Sequence, residues 1–235
     1  MTRTLILSLA LCLLAPAQAA NYSTDDVTGE TSRELVHASL NKVEQAARNA
    51  AVRVERPFAD GYGSGSYFKC GKTHFVVTAQ HVVDSSTFVW VLSPSGERVR
   101  GEVVYASSVP DIAVIRIEEM TTRKPMRYRP ADQPIDAGTE VTYSGYPGGH
   151  LDTLTFDGSA VGYERGYLLV NSFIWFGSSG SCFFDKHGRL VGIVSAIEVK
   201  EFVTPQALPG LAYVAVITPE VAEAIDDALQ DKEDQ

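Results

Sequence analysis

Three separated segments of the chain hold side-chain types that can work together on an acyl group. Val76-Val77-Thr78-Ala79-Gln80-His81 is an apolar run that delivers a histidine. Pro110-Asp111-Ile112-Ala113-Val114-Ile115 sets an aspartate at the mouth of an apolar strand. Gly177-Ser178-Ser179-Gly180-Ser181 is a loop of small residues leading into Cys182-Phe183-Phe184. A serine hydroxyl is a poor nucleophile until a base takes its proton, and a neutral imidazole can do so near neutral pH. A buried carboxylate on the other imidazole nitrogen fixes the tautomer and stabilises the imidazolium that forms. Glycines beside the serine permit backbone angles that aim N–H groups at one point, where they can stabilise an oxyanion.

Each segment has a bland reading when taken alone. His81 reads as a surface histidine, Pro110-Asp111 as turn chemistry, and the Gly/Ser loop as a hairpin connection. Their occurrence together, in the order His, Asp, Ser, points to nucleophilic acyl transfer. Composition leaves Ser178, Ser179 and Ser181 all open as the nucleophile.

The elements that must position these groups are mostly short strands. Tyr67-Phe68, 74–78, 87–92, 102–105, 112–117, 140–143, 168–172, 190–195 and 213–216 are rich in β-branched and aromatic residues, with Gly, Pro, Asp or Ser clusters between them. That pattern predicts an all-β barrel or sandwich. The stretch from Met120 to Ala137 is the best linker candidate. Two helices are expected at the ends: an amphipathic one over residues 32–49 with Ser32 as its cap, and a short one from Pro219 to Leu229 capped by Thr218. The first of these reads as a packing helix in preference to a pro-segment. At the start, Arg3, the apolar run Leu5 to Leu14 and Ala17-Gln18-Ala19 read as a signal peptide.

Composition excludes several classes. The 235 residues carry 20 Lys and Arg against 29 Asp and Glu, a formal charge of −9, which disfavours nucleic acid as a partner. Three cysteines cannot build a disulfide scaffold, and the five histidines show no H-x-x-x-H spacing, so no metal and no cofactor is expected. Ten apolar residues are too few to span a bilayer comfortably, which argues against an uncleaved anchor, and no stable membrane insertion is expected once the leader is removed.

Thr78-Ala79-Gln80-His81, Asp111-Ile112-Ala113-Val114 and Gly177-Ser178-Ser179-Gly180-Ser181 resemble the three motifs of trypsin-like serine proteases of the chymotrypsin fold. The bacterial branch that includes HtrA-type and glutamyl-endopeptidase-like enzymes is the nearest. Gly63-Ser64-Gly65-Ser66-Tyr67, Gly145-Tyr146-Pro147-Gly148-Gly149 and Gly188 to Ser195 resemble further parts of that branch. The resemblance spans about residues 50–217. It implies two antiparallel β-barrels sharing a cleft, with residues 1–19 as signal peptide, 20–50 as an N-terminal helical segment, 51–125 as the first barrel, and 126–235 as the second barrel with its C-terminal helix.

It further implies His81 as general base, Asp111 as its orienting carboxylate and Ser179 as nucleophile, with the Gly177 and Ser179 N–H groups as oxyanion hole. Phe173 and the strand Ser195-Ala196-Ile197 would line the primary pocket, which the bulk of Phe173 and Ile197 makes shallow and suited to small or aliphatic side chains. Glu198 would attract a basic side chain if it pointed inward, although an exposed surface glutamate is the plainer reading, and His150 is the one candidate for a glutamyl preference. Ser178 stands where digestive enzymes carry the aspartate that pairs with a new N-terminus, so activation by that ion pair is not expected. No PDZ-type module is expected to follow. The implied protein is an exported, periplasmic or secreted monomer acting on polypeptides. A protease-like scaffold that binds peptides or acts as a chaperone without turnover is the alternative. Whether Cys70 and Cys182 join in a disulfide stays open.

Overall fold

The computed structural model describes residues 36–201 and 205–230, with only the backbone within 197–209. The signal-peptide reading and Ser32 fall outside the described residues. The chain divides into one unit ending at Ser39 and another from Leu40 onward, and the elements between Lys42 and Gln230 all belong to the second.

Helix α1 (Lys42–Ala50) starts at Asn41, whose side chain accepts from the N–H groups of Val43 and Glu44 while the Glu44 carboxylate accepts from Asn41 N–H. This reciprocal cap satisfies backbone donors that have no partner within the helix. The single helix expected over 32–49 is therefore interrupted, because Asn41 begins a new one. Ala47 and Ala50 are buried, with Val43 and Ala46 beside them, so α1 is a packing helix.

Strand β1 (Ala51–Glu55) follows α1 directly, and then β2 (Tyr62–Cys70), β3 (Thr73–Thr78), the helical turn α2 (Gln80–Val83), β4 (Phe88–Leu92), β5 (Arg98–Ser108) and β6 (Asp111–Ile117). They pair in the order β1-β4-β5-β6-β3-β2, and β1 also pairs with β2, which closes a six-stranded antiparallel barrel. β7 (Met126–Arg127) adds in parallel to Phe68 and Lys69, on the edge of β2 that β1 leaves after Ser66.

The second barrel is built from β8 (Glu140–Gly145), β9 (Leu154–Glu164), β10 (Tyr167–Asn171), β11 (Cys182–Asp185), β12 (Leu190–Glu201) and β13 (Pro205–Val216). It closes in the order β10-β13-β12-β11-β8-β9. Helix α3 (Pro219–Gln230) begins at Thr218, whose hydroxyl accepts from Val221 N–H. It buries Val221, Ile225 and Leu229 in the first barrel's core, and Arg116 of β6 donates to the carbonyls of Ala228 and Leu229 at its end. Among the described residues no helix is long and apolar enough to cross a membrane.

Closure matters because it leaves no long unpaired strand edge on which the loops could drift. β3 and β6 are nearly continuous buried runs, with burial on both faces, whereas β4 alternates buried and half-buried. These two deeply buried strands carry the histidine and aspartate segments at their ends. Ile225→Ala is expected to destabilise the protein by about 3 kcal/mol in urea unfolding, since it empties a fully buried site between α3 and the barrel. A loss below about 1 kcal/mol would mean that α3 does not hold the barrel.

Candidate active site

β3 ends at Thr78, and α2 then turns His81 toward the start of β6. The imidazole Nδ1 lies 2.7 Å from Asp111 Oδ2, and the His81 backbone N–H donates to Asp111 Oδ1 at 2.9 Å. An ionised carboxylate only accepts, so the proton of the ring contact belongs to Nδ1, and in the neutral imidazole Nε2 is then the nitrogen that can act as a base. Ser195 Oγ, from β12 of the second barrel, donates to Asp111 Oδ2 at 2.6 Å. Asp111 is only 6% exposed. Burial by itself would raise its pKa, but the hydrogen bonds from His81 and Ser195 favour the charged form more, and the carboxyl sits below its ordinary range.

The Gly/Ser loop consists of two consecutive four-residue turns. Ser178 N–H donates to Trp175 C=O at 2.9 Å with Gly177 third at φ +95°, and Ser181 N–H donates to Ser178 C=O at 2.9 Å with Gly180 third at φ +89°. A positive φ at the third position is what a type II turn demands, and glycine meets it without strain. Side chains are excluded here on a second count: a Cβ on Gly180 would overlap Ser64 O and Thr78 Oγ1. The loop therefore lies directly on the residues that precede His81.

The three serines that composition left open are separated by their surroundings. Ser178 is fully buried, and its Oγ accepts from Trp175 N–H and contacts Tyr143 Oη. Ser181 is also fully buried, against Gly145. Ser179 is half-buried, and its carbonyl accepts from Ser64 N–H at 2.7 Å. Among the described residues no hydrogen bond joins Ser179 Oγ to His81, and the N–H groups of Gly177 and Ser179 donate to no group of the chain.

Ser64 of β2 has a part in this loop that the sequence did not disclose. Its Oγ donates to Gly177 C=O at 2.7 Å and accepts from Tyr146 N–H at 2.9 Å, and its carbonyl accepts from Thr78 Oγ1 at 2.7 Å. All its polar groups are engaged although the residue is wholly buried. The available signal was a small polar residue between two glycines in an otherwise buried strand.

Of the expected pocket residues, Phe173 is exposed, its ring 5.3 Å from Phe156 and its carbonyl accepting from Tyr143 Oη. Ala196 is also exposed, and the side chain of Ile197 lies outside the described residues. Ser195 combines a place on that strand with its hydrogen bond to Asp111. Val194 still exchanges hydrogen bonds with Ser181 and Gly180 of the loop, and beyond it β12 pairs only with β13 among the described residues, so its other edge is free from Ser195 onward. His150 lies on the Gly148 turn near Trp175. Cys70 is exposed and Cys182 buried, both free, with burial pushing the Cys182 thiol up to about 12.

The model of a trypsin-like peptidase domain matches residues 63–193. A probable periplasmic serine protease do/HhoA-like of Haemophilus influenzae is 25% identical over 146 residues, 58% of this chain and 31% of that protein. Serine protease Do-like HtrA of Lactobacillus helveticus is 24% identical over 183 residues, 72% of this chain and 44% of that protein. The chain thus spans less than half the length of these relatives. The serine endoprotease from Yersinia pestis has the same fold, with a TM-score of 0.63 at 21% identity over 80% of this chain and 66% of that one.

Because the Asp111 carboxyl is held below its ordinary value of about 3.9, its charged form contributes stability that is complete above that pH. That contribution drains away as the pH falls through the lower folded value. The stability difference between the parent and Asp111→Asn should be constant above about pH 5 and shrink below about pH 4 in urea unfolding. A difference that does not change with pH across this range would contradict the hydrogen-bonded, ionised Asp111.

Proposed function

Because this chain belongs to the trypsin-like peptidase family, we propose that it is an exported serine endopeptidase in which His81, Asp111 and Ser179 form the catalytic triad. The observation that carries this reading is the His81–Asp111 pair, with a proton on Nδ1, packed against a loop in which one serine of three remains accessible. Ser179 Oγ attacks the scissile carbonyl while His81 Nε2 takes its proton. The C–N bond breaks as His81 returns that proton to the leaving amine, and the acyl group stays on Ser179. Water, deprotonated by the same imidazole, then releases the acid. Asp111 stays ionised throughout and stabilises the imidazolium.

The negative charge that develops on the carbonyl oxygen needs donors already in place. The unengaged N–H groups of Gly177 and Ser179 are the proposed oxyanion hole. Phe173 and Ser195-Ala196-Ile197 are the proposed primary pocket, and the free edge of β12 is suited to pairing with an extended substrate backbone. A direct Ser179–His81 hydrogen bond is not required before substrate is positioned, because catalytic contacts of this kind tighten in the Michaelis complex. Export is supported by the names of periplasmic relatives.

Ser179→Ala is expected to lower peptide hydrolysis by at least about 10³-fold and to end labelling by a serine-directed phosphonate, with an unchanged thermal unfolding midpoint. Labelling retained in this variant would refute the nucleophile. A parent protein that neither cleaves a diverse peptide library nor reacts with the phosphonate would favour the peptide-binding scaffold instead.

A further inference from the structure

An oxyanion hole works only if the peptide plane between Phe176 and Gly177 is turned the right way. In a trans peptide the C=O and N–H point in opposite directions, so fixing one aims the other. Here the Phe176 carbonyl accepts from Gly148 N–H at 2.8 Å. The Gly177 N–H therefore points away from Gly148. Were that hold released, the peptide could rotate and present a carbonyl where the donor is needed.

Gly148 lies inside a 3-10 turn, Pro147–Gly149, and has a positive φ of 68°. Two consecutive glycines make this a pliable support, since each has wide backbone freedom. It is closed from outside by a side chain of the other barrel. Tyr62, at the start of β2, donates its hydroxyl to Tyr146 C=O at 2.9 Å and accepts from Gly149 N–H at 2.7 Å, so one phenol grips both ends of the turn. The same side chain bears on Gly177, where a Cβ would lie 2.6 Å from Tyr62 Oη and 2.9 Å from Cε2. Its own ring is held in turn by the Arg53 guanidinium, 3.8 Å from the ring centroid, which β1 presents from across the strand pair.

We propose that Tyr62 is a positioning residue for the reaction: by clamping the 146–149 turn it fixes the Phe176–Gly177 peptide with its N–H toward the oxyanion. This rests on the triad reading, with Gly177 as an oxyanion donor. Among the described residues Tyr62 makes no hydrogen bond to His81, Asp111 or Ser179; it acts through the 146–149 turn and through its packing against Gly177. Its loss should weaken binding of the tetrahedral intermediate and leave ground-state peptide binding alone.

The test uses the full chain with Tyr62→Phe, which keeps the ring under Arg53 and removes only the hydroxyl. kcat for a peptide substrate should fall by about tenfold or more, with KM within about twofold. Affinity for a peptidyl boronic acid, which forms a tetrahedral adduct on the serine, should fall by the same factor as kcat/KM, while affinity for a non-covalent product peptide should not move. Tyr163→Phe is the control, because Tyr163 Oη bridges the backbone N–H and C=O of Ile135 in the same double-ended way without touching the site; its kinetics should match the parent.

A Tyr62→Phe enzyme with parental kcat, or one whose loss lies in KM alone, would overturn the proposal and leave the triad standing. So would a loss matched by a fall in the folded fraction and restored at lower temperature, which would make Tyr62 a residue of stability only. A parent protein that neither cleaves peptide nor binds the boronic acid would remove the triad reading and this proposal with it.

Discussion

The buried Asp111 carboxylate is the constraint on which the arrangement rests. A charge that is 6% exposed survives in a protein interior only when donors replace the water it has lost. Three do so: the His81 N–H, the His81 ring and the Ser195 hydroxyl. They come from the helical turn that follows a first-barrel strand and from the middle of a second-barrel strand. Satisfying one charge thus requires both barrels to be formed and docked. The same requirement orients the imidazole, because a ring turned away would leave the carboxylate short of a partner in a medium of low dielectric.

Around this node the barrels meet through small residues. Gly63, Gly145, Gly177 and Gly180 each lie where a Cβ would run into the neighbouring barrel or loop. That lack of side chains lets the backbone of β2 come close enough for Ser64 to serve four partners, two of them in the Gly/Ser loop. Removing the Ser64 hydroxyl would leave the Gly177 carbonyl and the Tyr146 N–H unpaired, at a cost of about 1–3 kcal/mol each. Rigidity at the loop is consequently a property of the first barrel as much as of the second.

Much of the architecture is legible in the chain. Strands such as 74–78 and 112–117 are buried on both faces, so they read as plain apolar runs bounded by turn residues. β9 is harder to read: it carries Gly158 and Gly162, is largely half-exposed and lacks the strong apolar signal. β1 is hidden because it continues from α1 without a breaking residue, and only pairing with β2 and β4 makes it a strand. The start of α1 departs from the expected one although Asn41 and Glu44 have the spacing of a reciprocal cap, because the apolar periodicity runs smoothly through Leu40 and masks the break.

What the sequence determined by itself was local chemistry: a histidine after an apolar strand, an aspartate before another, and a loop whose glycines permit positive φ around a serine. Side-chain type and backbone freedom are carried by the residues concerned and need no partner to be recognised. The tertiary structure decided the rest. It separated Ser179 from Ser178 and Ser181 by burial, drew Ser195 onto Asp111, and brought Ser64 and Tyr62 across from the first barrel to hold the loop. These partners stand more than eighty positions from the groups they serve. Their roles arise only when two closed barrels meet, because a hydrogen bond depends on position in space and leaves no trace in the spacing of residues.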